Sequence, residues 1–236
     1  IDDRPRQNPA YGVLAYYIRI TEGLDMRPRT KKHFEERFEK CRYLVVGAPE
    51  ENKGKWRSVF NREDAPLHLE IGCGKGAFIT GKAMQHPEVS FVAMELVPNV
   101  LLAALEKVDA DPEIQNVHFI SGNARKLGEY FTDGELDAIY LNFSDPWPRP
   151  KQFKNRLTHP DFLKIYKKIL KPGGKIYQKT DNKGLFDFSV RKYQECGFQI
   201  EILEEAPADN VMTEYETRFT EMGMPIYRVT ATKPEQ

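Results

Sequence analysis

Cysteine is scarce in this sequence, and its arrangement excludes two kinds of site. The 236 residues include only three cysteines, Cys41, Cys73 and Cys196, which lie far apart and form no CxxC pair. Such a set provides neither a disulfide framework nor a metal-ligand cluster, and it favours a reduced, cytoplasmic setting. No cleavable signal pattern with a basic start and a small-residue cleavage site is evident either.

Long hydrophobic runs and an excess of one charge are also missing. The apolar segment 11–20 is short and is interrupted by Arg19, whereas a membrane-spanning helix needs about 20 apolar residues. Lys plus Arg and Asp plus Glu number 35 each, so any nucleic-acid binding must depend on local basic patches. The five histidines are scattered along the chain. The sequence therefore predicts no membrane segment and no metal site.

A glycine-rich turn is the clearest feature that is present. Residues 67–71 are typical of a short buried strand, and Gly72, Gly74 and Gly76 follow them. Glycines permit a sharp turn and the close approach of a ligand. Glu70 stands just before them, where a loop built for a pyrophosphate would gain nothing from a negative charge. The acid suits instead a ligand with a positive amino group and ribose hydroxyls, such as S-adenosylmethionine.

From residue 67 onward, apolar segments alternate with helical patterns, for example one in which Leu101, Leu105 and Val108 share a face. The predicted strands are 67–71, 91–94, 117–120, 136–141, 175–179, 199–203 and 227–232. This alternation predicts an α/β fold with a mainly parallel sheet covered on both faces. No strong helix is expected between the last two strands, which are predicted to pair antiparallel. In such sheets the ligand lies beyond the carboxyl ends of the strands.

Two polar residues at predicted strand ends fit a nucleoside. Glu95 ends the second strand, about 20 residues past the glycine turn, where an acid accepts hydrogen bonds from ribose hydroxyls. Asn123 follows the third strand and can bond the edge of an adenine. The alternatives are a surface glutamate and an ordinary turn asparagine. Together with Glu70 and the glycines, the two residues favour a ligand that contains a nucleoside.

The segment after the fourth strand is Asn142-Phe143-Ser144-Asp145-Pro146-Trp147-Pro148. Two prolines around an aromatic residue fix the backbone and deny it ladder hydrogen bonds. We expect Asp145 and Trp147 to stand over the crevice on a rigid loop. A carboxylate accepts hydrogen bonds from a base edge, and a tryptophan stacks on a base. The alternative is a structural turn with a buried tryptophan.

A run of cations follows this loop directly. Arg149, Lys151, Lys154 and Arg156 surround Phe153. Cations interleaved with an aromatic side chain suit a phosphate backbone with unstacked bases. A solvated surface loop is the alternative, but the position next to the predicted chemical centre favours RNA.

Two later segments add acids to the same rim. Asp181 follows the fifth strand, where it either lines the crevice or caps the next helix. The segment 213–216, Thr-Glu-Tyr-Glu, places two acids around a tyrosine. Such acids can accept hydrogen bonds from N1–H and N2–H₂ of a guanine. Taken alone, this segment is explained more simply as an ordinary surface loop.

Together these motifs resemble those of the bacterial tRNA (guanine-N7)-methyltransferase family, which are class I S-adenosylmethionine-dependent methyltransferases. The resemblance covers the chain from residue 26 onward. It rests mainly on segments 142–148 and 213–216, which are more specific than the glycine turn. The matching segments are Glu70–Gly76, Glu95, Asn142–Pro148, Arg156–Thr158, Lys179–Asp181 and Thr213–Glu216.

The resemblance implies a Rossmann-like fold, a seven-stranded and mainly parallel sheet with one antiparallel strand and helices on both faces. It also implies one methyltransferase domain over residues 26–236. This domain would consist of a basic N-terminal helical region at 26–60 and a core at 67–236. Residues 1–25 have no counterpart in the family pattern, and the sequence predicts an extension there without indicating its structure.

The resemblance and the motifs taken together assign residues to the cofactor, the substrate and the RNA. Asp145 would be the catalytic residue. The expected contacts of S-adenosylmethionine, and of its product S-adenosylhomocysteine, are Glu70, Gly72, Gly74, Gly76, Glu95, Asn123 and Asp145. The expected contacts of the substrate guanosine are Arg149, Asp181, Thr213, Glu214, Tyr215 and Glu216. The residues expected to bind the rest of the tRNA are Trp147, Lys151, Lys154 and Arg156. The chain departs from the family pattern at Arg149, Lys151, Gln152 and Asn155, which bears on the tRNA contacts more than on the reaction.

Methylation of guanine N7 would require few catalytic groups from the protein. N7 has a lone pair and no proton to lose, and the sulfonium already activates the methyl group, so a metal, a covalent nucleophile and a strong base are unnecessary. Alignment of the reactants can supply ~7–11 kcal/mol in good cases, and Asp145 would orient the base and offset its growing positive charge. Two other functions remain open: methylation of an adenine amino or protein amide nitrogen, and RNA binding without catalysis. A nicotinamide dehydrogenase is disfavoured, because Glu70 and the Asp145 loop would have no role in one.

Overall fold

The computed structural model describes residues 32–235. Residues 1–25, for which the sequence predicts an extension, lie outside the described residues. The strands are β1 (Leu67–Ile71), β2 (Ser90–Glu95), β3 (Val117–Ser121), β4 (Leu136–Asn142), β5 (Leu170–Thr180), β6 (Gln199–Leu203) and β7 (Tyr227–Thr232). The α-helices are α1 (Phe34–Lys40), α2 (Trp56–Val59), α3 (Ala77–Gln85), α4 (Pro98–Asp109), α5 (Leu127–Tyr130), α6 (Pro160–Ile169), α7 (Lys183–Glu195) and α8 (Glu214–Glu221). Four 3-10 helices lie at Arg42–Leu44, Pro49–Asn52, Ala124–Lys126 and Pro150–Asn155.

The seven strands form a single sheet in the order β3-β2-β1-β4-β5-β7-β6. Strand β7 runs antiparallel to both of its neighbours, and every other pairing is parallel. The predicted Rossmann-like α/β sheet with one antiparallel strand is therefore confirmed. The chain reverses its direction of strand addition between β1 and β4, which is the position where ligands bind in sheets of this kind.

The core consists of two apolar layers, one on each face of the sheet. On one face, Phe91 packs with Leu101 and Leu105 of α4, and all three are fully buried. On the other face, Leu69 and Tyr166 are fully buried in a second cluster. Central parallel strands are buried on both faces because helices cover both, which is why β2, Ser-Phe-Val-Ala-Met-Glu, is a nearly continuous hydrophobic segment.

Two elements differ from the sequence expectation. Strand β5 begins at Leu170, five residues earlier than predicted, because Leu170 already pairs with Leu136 of β4. The Pro-Gly-Gly segment at 172–174 lies within the strand, next to a register irregularity opposite 136–138. A helix, α8, lies between β6 and β7, where no strong helix is predicted. Its polar sequence, with Glu214 and Glu216 in the first turn, obscures the apolar periodicity that would have indicated it.

The segment before β1 is tied to both faces of the sheet. Phe34 and Phe38 of α1 are buried against the α4 side, and Arg37 pairs with Glu106 of α4 at 2.6 Å. Trp56 is fully buried on the opposite face, and its Nε1 donates to the Tyr130 carbonyl at 2.8 Å. Within residues 32–235, none of the helices has both the length and the apolar character needed to cross a bilayer.

Candidate active site

The carboxyl ends of β1 and β4 are joined by a side-chain hydrogen bond. Asn142 Nδ2, at the end of β4, donates to Glu70 Oε1 at 2.8 Å. Asn142 is also the first residue of the loop that carries Asp145. The bond therefore places the glutamate next to the glycine turn and the Asp145 loop at one edge of the sheet, as the sequence predicts.

The three glycines of the turn after β1 have different physical roles. All three have left-handed backbones, with φ of 77° at Gly72, 58° at Gly74 and 81° at Gly76. A Cβ at Gly72 or Gly74 would meet no atom within 4 Å, whereas a Cβ at Gly76 would lie 2.7 Å from Ala104 Cβ. The first two glycines thus face open space into which a ligand can approach, and the third lets α3 pack closely against α4.

Glu95 braces this turn from the end of β2. Its Oε2 accepts a hydrogen bond from the Gly74 amide at 3.0 Å, and its Oε1 accepts from the amides of Leu96 and Val97 at 2.9 and 3.0 Å. An ionised carboxylate has about four acceptor positions. Three of these positions accept hydrogen bonds from backbone amides and so fix the turn. One position, on Oε2, remains for the predicted hydrogen bond from a ribose hydroxyl.

Glu70 is a carboxyl group with an unsatisfied oxygen. Its side chain is 1% exposed, and Oε2 is buried without a hydrogen-bond partner in the described part of the chain. Burial raises the pKa of Glu70 to about 7, against the smaller opposing effects of the Asn142 hydrogen bond and the Lys179 charge. Such an orphaned acceptor is costly unless a donor or a cation completes it.

The loop that carries Asp145 has a strained backbone on both sides of the aspartate. Phe143 and Trp147 are not glycines, yet both adopt left-handed conformations with φ of 48° and 42°. Strain of this kind costs on the order of 1–3 kcal/mol per residue and persists where the surroundings hold it. Asp145 lies between the two strained residues, and its side chain is exposed at the rim.

An aromatic cluster links this loop to helix α8. The Phe143 ring stacks on Tyr215 with centroids 6.3 Å apart and lies 6.0 Å from Phe219. Tyr215 remains 59% exposed. Glu214, the preceding residue, pairs with Lys75 of the glycine turn at 3.3 Å. The predicted substrate segment 213–216 is thus brought next to both the glycine turn and the Asp145 loop.

Within that segment, Glu216 has a role that the sequence does not indicate. Its carboxylate is 1% exposed and bonds to Lys179 Nζ, to Arg228 at 2.8 Å and to Asn210 at 3.1 Å. Burial alone would raise the pKa of Glu216, but these partners hold it below its usual range. The predicted contact between Glu216 and guanosine is therefore corrected to a supporting role, because both carboxylate oxygens are engaged. Thr213 caps α8 by accepting from the Glu216 amide at 2.9 Å.

The remaining predicted residues lie around the same edge. Asn123 is exposed after β3, and its Oδ1 accepts from the Arg125 amide at 3.0 Å. Asp181 is half-buried after β5, and the neighbouring Asn182 is the residue that caps α7, with Oδ1 accepting from Leu185 at 2.8 Å. Of the two roles considered for Asp181, the capping role is therefore excluded. Arg149 is exposed just beyond the Asp145 loop.

The basic segment divides into exposed and buried cations. Lys151 and Lys154 are exposed on the 3-10 helix that follows the loop, and Trp147 is half-buried. Arg156 is only 5% exposed, and its guanidinium donates to the carbonyls of Pro146 and Trp147 at 2.7 and 3.3 Å. The prediction that Arg156 contacts RNA is wrong in this structure, since the side chain is turned into the protein.

Sequence reasoning missed the partners that hold the acids in place. Lys179, Arg228 and Asn142 have no predicted role, although each makes a hydrogen bond to Glu70 or Glu216. One signal was available: Lys179 ends a predicted strand of a sheet covered on both faces, and a lysine buried there needs an anionic partner. No group of three or more residues able to hold a metal ion is found in the described range 32–235.

Comparison with known proteins agrees with this geometry. Residues 64–229 match a family model described as a putative methyltransferase. The tRNA (guanine-N(7)-)-methyltransferase of Lactococcus lactis subsp. cremoris MG1363 is 44% identical over 214 residues, covering 87% of this chain and 97% of the relative. The protein of the same name from Geobacillus kaustophilus HTA426 is 43% identical over 214 residues, covering 89% of this chain and 98% of the relative.

Solved structures match at the level of the fold. The 16S rRNA methyltransferase KamB superposes with a TM-score of 0.59 at 15% identity, covering 77% of this chain and 93% of that one. A SAM-dependent O-methyltransferase from Thermotoga maritima gives a TM-score of 0.51 at 17% identity, covering 91% of this chain and 71% of that one. Because the family model spans most of the chain and relatives at 43–44% identity match over almost their whole length, this chain belongs to the tRNA (guanine-N(7)-)-methyltransferase family.

Proposed function

We propose that this protein transfers a methyl group from S-adenosylmethionine to N7 of a guanine in tRNA. The observation that carries the proposal is the meeting of Glu70, the glycine turn braced by Glu95, and the Asp145 loop at one sheet edge. The names of its relatives specify the substrate class. The Rossmann-like fold by itself would be compatible with many other reactions.

The residues of the turn fit S-adenosylmethionine. Oε2 of Glu70, which is buried and has no partner within the described segment 32–235, offers an acceptor to a cationic amino group. The space above Gly72 and Gly74 admits a ligand against the backbone. The remaining acceptor position of Glu95 suits a ribose hydroxyl, and the Asn123 amide nitrogen can donate to an adenine ring nitrogen. These four features match a ligand that carries an amino group, a ribose and a purine on one molecule.

When bound, S-adenosylmethionine supplies a methyl group that its sulfonium charge already activates. The protein has to hold N7 of the guanine in line with that methyl group, and good alignment is worth ~7–11 kcal/mol. Asp145 stands at the rim between the cofactor residues and α8, where its carboxylate can orient the base. A fixed negative charge there also offsets the positive charge that grows on the purine during transfer.

The surroundings of Asp145 fit a polynucleotide substrate. Lys151 and Lys154 are exposed within a few residues of the loop, and Arg149 lies between them and Asp145. Exposed cations of this kind bind phosphates. Tyr215, which is exposed next to the loop, and the half-buried Trp147 within the loop provide aromatic surface that suits unstacked bases. We infer that Glu214, Tyr215, Asp181 and Arg149 face the target guanosine.

A nucleoside analysis tests the proposal directly. The protein is incubated with methyl-labelled S-adenosylmethionine and bulk tRNA, and the digested RNA is analysed by liquid chromatography and mass spectrometry. The expected product is 7-methylguanosine in the tRNA fraction, with no label on DNA or protein. Label on another base or on protein would establish a different target. Calorimetric binding of S-adenosylmethionine without any transfer would instead favour an RNA-binding module.

A further inference from the structure

The motif Arg156-Leu157-Thr158, which is shared with the family pattern, has no role in the chemistry described above. Its arginine is buried and lies between two aromatic rings. The guanidinium carbon is 3.8 Å from the Phe153 ring centroid and 4.5 Å from that of Phe188. From this position Arg156 Nε donates to the Pro146 carbonyl at 2.7 Å, and a terminal nitrogen donates to the Trp147 carbonyl at 3.3 Å.

This arginine is attached to a rigid part of the fold. Phe188 belongs to α7, and Thr158 Oγ1 bonds the neighbouring Ser189 Oγ at 2.7 Å in a buried contact. Ser189 in turn accepts from Gln178 of β5 at 3.0 Å. The chain of contacts from α7 and β5 through Arg156 to the loop therefore contains buried groups with fixed partners, so the guanidinium has little freedom to move.

The other end of the loop is also fixed to β5. The Phe143 amide donates to the Lys179 carbonyl at 2.9 Å, and the Phe143 ring packs on α8. Asp145 thus stands between one anchor at Phe143 and a second at Trp147. The two anchors coincide with the two left-handed residues of the loop. Removing either anchor would let that backbone relax and move the aspartate.

We propose that Arg156 is a positioning residue, which holds the carbonyls of Pro146 and Trp147 and thereby fixes Asp145 over the cofactor site. The inference rests on the proposed function insofar as Asp145 is the catalytic residue. It assigns to Arg156 no contact with the RNA, the cofactor or the reacting atoms. The positive charge of the arginine is stabilised inside the protein by hydrogen bonds to two backbone carbonyls and by cation–π contacts with two aromatic rings.

The geometry requires an arginine at this position. A guanidinium is planar, so it can stack between two rings while its edge donates to two carbonyls at once. A lysine retains the positive charge but donates from a single point and cannot stack in the same way. The Arg156→Lys variant therefore separates the geometric role of the guanidinium from its charge. It also removes much less buried volume than Arg156→Ala does.

The test compares Arg156→Ala and Arg156→Lys with Arg191→Ala in the full-length protein. Arg191 is an exposed arginine on α7, paired only with Glu195 at 3.8 Å in the described contacts, and serves as a matched control. We expect kcat for tRNA methylation to fall about 10- to 100-fold in Arg156→Ala, as a shift of about 1 Å can cause, and less in Arg156→Lys. The Kd for S-adenosylmethionine and the salt dependence of the KM for tRNA are expected to stay unchanged. Arg191→Ala is expected to behave as the wild type.

Tryptophan fluorescence gives a readout that is independent of activity. The protein has two tryptophans, and Trp56 is fully buried, so quenching by acrylamide reports mainly on Trp147. We expect Arg156→Lys to increase the quenching constant at an unchanged melting temperature, because the loop becomes looser. If Arg156→Ala fails to fold, the lysine variant alone decides.

Three outcomes are informative. Normal kcat and normal quenching in Arg156→Lys would overturn the proposal. A raised KM for tRNA with a salt slope reduced by about one, at constant kcat, would show a phosphate contact and would also overturn it. If the wild type methylates no tRNA, the proposed function fails, whereas increased Trp147 quenching in the variants would still support the holding of the loop.

Discussion

Asn142 Nδ2 donates a 2.8 Å hydrogen bond to Glu70 Oε1, while Glu70 Oε2 is buried and has no hydrogen-bond partner among residues 32–235. The pair joins β1 to β4, the two neighbouring strands between which the direction of strand addition reverses. Asn142 thus holds the Glu70 carboxyl group in an orientation in which burial of Oε2 is unfavourable without a ligand and favourable when a cationic ligand is bound.

This relationship predicts that cofactor binding depends on pH. The pKa of Glu70 is raised to about 7, and a cation beside Oε2 would require the ionised form, so affinity should increase as the pH rises from 6 to 8. Calorimetry in buffers of different ionisation enthalpy should detect proton release on binding near pH 7. Glu70→Gln should bind S-adenosylmethionine more weakly with a flat pH profile. A pH-independent affinity in the wild type would contradict this.

The same group predicts an opposite effect on the stability of the ligand-free protein. The folded-state pKa of Glu70 lies above the usual value of 4.5, so its stabilising contribution is complete below pH 4.5 and is lost as the pH rises through about 7. At pH 8, Glu70→Gln should therefore be more stable than the wild type, by up to about 3 kcal/mol. Urea unfolding at pH 5 and pH 8 measures the difference, which should nearly vanish at the lower pH.

Asp145 should affect turnover more than cofactor binding. Its carboxylate is exposed at the rim, where it is expected to act on the guanine in the transition state. Asp145→Ala should lower kcat by about 100-fold or more, while the Kd for S-adenosylmethionine changes less. Single-turnover kinetics with saturating tRNA separates the two effects. A normal rate in this variant would show that the catalytic assignment is wrong.

The exposed cations and Trp147 should contribute to tRNA binding. Lys151→Ala and Lys154→Ala should each weaken tRNA binding and reduce the slope of log K against log salt by about one. Trp147→Ala should slow methylation of tRNA, because the ring is expected to stack on an unstacked base. Filter binding at four salt concentrations, with kinetics in parallel, measures both. If neither lysine substitution changes the salt slope, the tRNA phosphates contact another part of the surface.

Glu216 should be required for stability. Its carboxylate is buried between Lys179 and Arg228, so Glu216→Ala would leave two cations without their anion. Breaking a buried pair in this way costs about 3–5 kcal/mol. Thermal and urea unfolding should show the loss, and Glu216→Gln should recover part of it through its hydrogen bonds. If Glu216→Ala instead has normal stability and a raised KM for tRNA, Glu216 contacts the substrate after all.

Much of the sheet could be predicted, because its strands are short apolar segments between turns. The bounds of β1, β6 and β7 match the prediction, and the others differ at the ends. Helix α8 was missed, because its buried residue is a glutamate and no apolar period marks it. Arg156 was misplaced for a related reason. A sequence shows that a residue is charged, but it does not show whether the charged group is solvated by water or hydrogen-bonded to a buried carbonyl.

The sequence by itself determined the positions of the seven strands along the chain, the glycine turn and the motifs that indicate the family, since these depend on local propensity and residue identity. The tertiary structure decided which of the charged residues lie inside. Among the described residues Glu70 lacks a partner for one oxygen, Glu216 has three partners, and Arg156 is held between two rings, whereas the sequence shows only that each of the three is charged. The physical reason is that burial and pairing arise from residues distant along the chain, such as Asn142, Arg228 and Phe188, which are brought together only by folding.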